Sequence, residues 1–212
     1  YTLAAEQGFA EAQLYLGCMY DVGETVVQDL ETAFAWYLRA AEQFNETAQY
    51  NVGYCYERGE GVEQDYDQAR KWYSLASKNG DLNARVALGR IYLHGLGVET
   101  NLKEAVQWYG LAANEGHSIP LDECENISQL ASFEQSDDEL AFKAQMIAAN
   151  GGCLHAEFEL AEMYQDGKGT GQDFQKALHW YSKAAESGHE FAQFNLAVMY
   201  AEGRGTQKDL NR

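Results

Sequence analysis

The sequence predicts an all-α fold, a stack of about six helical hairpins of 36 residues each. Three observations predict it. Stepping by 36 from Tyr20 reaches Tyr56, Tyr92, Ser128, Tyr164 and Tyr200. The same step places all four tryptophans in one column, as Trp36-Tyr37, Trp72-Tyr73, Trp108-Tyr109 and Trp180-Tyr181, with Ala144-Gln145 breaking the run. Of the 20 glycines, 17 fall in four columns of this register, which composition bias alone does not produce.

Within one repeat each element follows in turn. Ala12, Leu16, Met19 and Tyr20 recur at helical spacing, so a first helix with one apolar face runs from Phe9 to Val22. The Gly23 column (Gly59, Gly95, Gly167, Gly203) ends that helix, since glycine accepts the left-handed conformation that closes it. A second glycine two residues on, as at Gly61, Gly97, Gly169 and Gly205, keeps the loop tight. Asp29, Asp65, Asn101, Asp137, Asp173 and Asp209 then offer a short acceptor to the free amides of a second helix. That helix carries Ala33, Trp36, Tyr37, Ala40 and Ala41 on one face and stops near the Gly8-type column. The repeats run over 9–44, 45–80, 81–116, 117–152 in degenerate form, 153–188 and, in part, 189–212, as one array over 1–212.

A hairpin cannot bury its Trp-Tyr pair alone, so neighbours must stack and share a core. The repeated aromatics are therefore read as packing and not as a platform for nucleobases or sugars. Charge agrees: 33 acidic against 15 basic residues leave −18, which argues against binding a phosphate backbone. An aromatic content of 13% argues against disorder. No apolar run is long enough to cross a bilayer, so no membrane insertion is expected of this segment.

The run Ala48-Gln49, Gly53, Tyr56, Gly59-x-Gly61-Val62, Asp65, Ala69, Trp72-Tyr73, Ala76 and Gly80 resembles the Sel-one-like repeat of the tetratricopeptide superfamily, over essentially the whole chain. The resemblance implies a right-handed α-solenoid whose first helices line a concave face used for protein recognition and complex assembly.

Repeat 117–152 departs from the pattern. It keeps Asp137, Ala141, Ala148, Ala149 and Gly152 in register but lacks the tyrosine, both loop glycines and the Trp-Tyr pair. Pro120 stands where a helix tolerates proline only in its first turn. Asp122, Glu123, Glu125, Glu134, Asp137, Asp138 and Glu139 face only Lys143, so a third of the net charge lies here. The preferred reading is drift in a solvated repeat that still packs through Leu130, Phe133, Leu140, Phe142, Met146 and Ile147; the other is an acidic docking site for a basic segment, or a bend. Residues 1–8 match the tail of a second helix and the chain stops just after another begins, so a piece of a longer protein is expected.

Catalytic signals are weak. There is no Cys-x-x-Cys, His-Glu-x-x-His or Ser-x-x-Lys, and His94, His117, His155, His179 and His189 are scattered over four columns. Gly167-Lys168-Gly169-Thr170-Gly171 faintly resembles a phosphate loop, but Gly95-Leu96-Gly97 and Gly203-Arg204-Gly205 fill the same place and no strand precedes them. Cys18, Cys55, Cys124 and Cys153 show no repeated pairing offset and read as small buried residues, leaving the redox compartment open. No cofactor or metal is expected.

Recognition belongs in the columns of the first helices that do not repeat. These give Gln13, Gln49, Arg85; Tyr15, Asn51, Glu159, Asn195; and Tyr54, Arg90, Glu162 as partner-binding residues. Asn and Gln there suit the backbone of an extended peptide, and Arg85 with Arg90 would offer an acidic peptide a positive patch. The expected function is a non-enzymatic scaffold or adaptor for a protein or peptide partner, with no nucleic acid. The alternatives are a cell-wall-related enzyme or peptide binder, suggested by relatives alone, or a structural spacer within a larger protein.

Overall fold

The computed structural model describes residues 1–133 and 136–206; Glu134 and Asp209, both named above, lie outside them. Among the described residues there are twelve helices and no strand. They are α1 (Thr2–Glu6), α2 (Ala10–Val22), α3 (Leu30–Ala41), α4 (Glu46–Arg58), α5 (Tyr66–Lys78), α6 (Leu82–His94), α7 (Leu102–Asn114), α8 (Leu121–Phe133), α9 (Asp138–Asn150), α10 (Leu154–Asp166), α11 (Phe174–Glu186) and α12 (Glu190–Glu202). This is the α-solenoid class of paired helices that the 36-residue register predicts. The chain divides into two compact lobes, Tyr1–Asn101 and Leu102–Arg212. In the first, α2 pairs with α3 and α4 with α5, while α3 packs on α4 and α5 on α6. In the second, α8 pairs with α9 and α10 with α11, while α9 packs on α10 and α11 on α12.

Local chemistry starts and stops the helices where the columns place these events. Asp29, Asp65, Asp137 and Asp173 each accept a backbone N–H from the first turn of the second helix. A second capping column, unnoticed in the sequence, serves the first helices: Asn45, Asp81 and His189 accept from Ala48, Ala84 and Ala192. Gly23, Gly59, Gly95, Gly167 and Gly203 close first helices in the left-handed conformation.

The core is built from alanines and from the tyrosine of each Trp-Tyr pair. Tyr37, Tyr73, Tyr109 and Tyr181 are all but fully buried. Gly17 and Gly53 make room for them, since a Cβ there would come within 2.6–2.7 Å of the Tyr37 and Tyr73 rings. The tryptophans are less enclosed: Trp36, Trp72 and Trp108 are half-buried, and Arg39 and Lys183 lie over the rings of Trp36 and Trp180. Successive hairpins meet through edge-to-face pairs at equivalent places, Phe34 with Tyr56 and Phe142 with Tyr164.

Candidate functional site

A buried tyrosine hydroxyl needs an acceptor, and a neighbouring helix supplies it. Tyr37 donates to Asp21 at 3.0 Å and Tyr73 to Glu57 at 2.8 Å, from equivalent positions near the end of the preceding helix. Leu93 fills that position next, and Tyr109 instead donates to Glu123 of α8 at 2.8 Å. Burial, followed by the Glu57 carboxylate, holds the Tyr73 hydroxyl far above its ordinary range. Glu57 is itself buried, and Arg90 reaches both its oxygens at 2.6 and 2.7 Å. Tyr50 lies against Tyr73 and beside Tyr54, over which Arg58 stacks.

This cluster corrects part of the expected binding surface. The Arg90 guanidinium is matched by the Glu57 carboxylate, so the positive patch expected of Arg85 with Arg90 is not formed by Arg90. Gln13 and Gln49 are buried, at 5% and 2% exposure, because they join neighbouring hairpins. Gln13 donates to the Ala5 carbonyl and accepts from Gln43; Gln49 donates to Ala41 and accepts from Asn79. In the equivalent place Glu157 has no N–H to give. Lys183 pairs with it at 2.8 Å and also donates to the Ala149 carbonyl. Gln193 repeats the glutamine form of this joint by donating to Ala185.

The other named residues remain nearer the surface. In the first lobe Tyr15 is exposed on α2 with its ring 5.4 Å from that of Tyr1, Asn51 and Tyr54 are half-buried on α4, and Arg85 is half-buried on α6. In the second lobe Glu159 and Glu162 share a face of α10, and His155 lies 3.4 Å from Glu159. Asn195 of α12 donates to the Tyr181 hydroxyl at 3.2 Å. Burial first, then Glu159 and Asp166, raises the Glu162 carboxyl above its ordinary value.

Two adjoining hollows in the second lobe were not legible in the sequence. One, of about 460 Å³, is lined by Glu125, Ser128, Gln129, Ser132 and Phe133 of α8 with Cys153, Leu154, His155 and His189. The other, of about 240 Å³, has Gln145, Glu159, Glu162, Asp166 and Lys168 in its wall and shares Ser132 with the first. Among the described residues no group of three His, Cys, Asp or Glu is placed to hold a metal ion, and no helix is long and apolar enough to cross a membrane. All four cysteines are free; burial pushes the thiols of Cys55 and Cys124 up to about 12 and about 11.

The family model described as Sel1 repeat matches residues 10–43, 47–81, 82–117, 154–189 and 191–212. It passes over the degenerate repeat. Among solved structures, c5321, a protective antigen present in uropathogenic Escherichia coli strains displaying an SLR fold, is 32% identical. That match covers 98% of this chain and 44% of the other, with a TM-score of 0.65, so the chain spans less than half of that relative's length. A Sel1 repeat protein from Oxalobacter formigenes is also 32% identical, over 97% of this chain and 82% of its own, with a TM-score of 0.55. No curated protein matches the sequence.

Proposed function

From a chain that belongs to the Sel1 repeat family, which generally mediates protein–protein interaction, we propose a non-enzymatic scaffold that presents the outer faces of its first helices to a protein or peptide. The observation that carries this reading is the division of labour along α2, α4 and α10. Alanines, glycines and the buried amides Gln13 and Gln49 recur where helices meet, whereas Tyr15, Asn51, Tyr54, Glu159 and Glu162 differ from repeat to repeat and lie at or near solvent. Repeated positions serve the stack; positions free to vary can serve recognition.

Site-specific photocrosslinking tests the proposal. A benzoylphenylalanine placed at Tyr15, Asn51 or Tyr54 should capture the same protein from the source cell, and one placed at exposed Lys71 on α5 should not. Equal capture from Lys71 would overturn the assignment to first-helix faces.

A further inference from the structure

We propose that the trough between α8 and α10 receives a short extended segment in which an apolar side chain adjoins Lys or Arg. The proposal rests on the scaffold reading above and names the partner chemistry for one part of it. Its origin is the loss of the aromatic pair in repeat 117–152. Elsewhere a buried tyrosine ring fills the space against the first helix, as Tyr73 does against Gly53. Here Gln145 replaces it. The amide donates to the Ser128 carbonyl at 3.1 Å and to Ser132 Oγ at 3.2 Å and accepts from Ser128 Oγ at 2.8 Å. It is thereby tied down, and it leaves the hollow of about 240 Å³ unfilled.

The two parts of the trough differ in character. Phe133 is 74% exposed and Leu154 36% exposed in the larger part, so apolar surface stands open there. In the smaller part Glu159, Glu162 and Asp166 recur at helical spacing along one side of α10. Lys168, the basic side chain of this wall, lies 3.5 Å from Asp138, and His155 approaches Glu159. Glu162 is half-buried and makes no hydrogen bond or ion pair among the described residues. A partner cation would relieve the repulsion among these carboxylates, and Glu125 adds a fourth at the other end. An apolar anchor beside Phe133 and Leu154 with a Lys or Arg at Glu162 is the complement of this surface. Because Ser132 lines both parts, the two contacts come from neighbouring residues of one segment.

Fluorescence anisotropy on the full chain tests this with three labelled peptides: one carrying Leu-Phe beside Arg-Lys-Arg, one with Glu-Asp-Glu in place of the basic run, and one with Ser-Ser in place of Leu-Phe. The first should bind, weakening as salt rises, and the other two should bind about ten-fold less well. Phe133→Ser, and Glu162→Gln combined with Asp166→Asn, should each weaken the first peptide about ten-fold while circular dichroism shows an unchanged fold. Equal binding of the acidic peptide, failure of all three peptides to bind, or indifference to both variants would overturn the proposal. Photocrosslinking from Tyr15 or Tyr54 persisting in the Phe133→Ser variant would mean that scaffold function survives such a failure.

Discussion

At the scale of single residues, two side chains sit in settings that their neighbours make costly. Glu162 has its carboxyl raised by burial and by Glu159 and Asp166, so the folded state holds its proton more tightly than the unfolded chain. A raised carboxyl contributes stability below its ordinary value of 4.5 and loses it as pH rises through the shifted one. Glu162→Gln should therefore be more stable than the parent at pH 7, by about 0.5 kcal/mol, a difference that disappears in acid. Thermal unfolding at pH 7 and pH 4 measures it, and a loss of stability at pH 7 would contradict the assignment. Phe44 has φ 65° in the place where other repeats have Gly80, Gly116, Gly152 and Gly188. Its side chain is 75% exposed, so little burial offsets the conformational cost. Phe44→Gly should gain about 0.5–1 kcal/mol in urea unfolding, since left-handed backbone costs a side-chain-bearing residue about 1–2 kcal/mol, more than glycine's added entropy takes back.

At the scale of elements, the two glycine columns after and before the helices have different jobs. A Cβ on Gly61 would collide with the Leu30 carbonyl at the start of the preceding hairpin's second helix, whereas one on Gly80 would meet nothing within 4 Å. Both have positive φ. Gly61→Ala should cost about 2–4 kcal/mol, from overpacking added to backbone strain, and Gly80→Ala about 1 kcal/mol, from strain alone. Chemical denaturation of the two variants separates these contributions; equal losses would show that the close approach at Gly61 is not what the glycine serves. Helix order, the Asp29-type caps and the tight loops were legible because each follows from local chemistry repeated five or six times over. The caps of the first helices were not, because Asn45, Asp81 and His189 share a hydrogen-bonding role without sharing a residue type.

At the scale of the whole molecule, the binding residues were harder to read than the fold because variability in a column has two causes. Tyr15 and Glu162 vary at or near solvent, but Gln13, Gln49, Arg85, Glu157 and Gln193 also form a varying column, and several of its members are joints between hairpins. Arg90 also stands in a varying column, yet it is held by the buried Glu57 carboxylate. The trough beside Gln145 escaped notice because a missing ring leaves no mark in the sequence except an absence. The joints have a consequence for how such a chain grows. Gln13 with Gln43, Gln49 with Asn79 and Glu157 with Lys183 each bring both side chains from within one repeat and take from the preceding one only a backbone carbonyl, at Ala5, Ala41 and Ala149. A main-chain oxygen is present whatever residue a neighbour carries. Tandem duplication of a hairpin therefore inserts a copy whose joint already fits, with no matching mutation required next door.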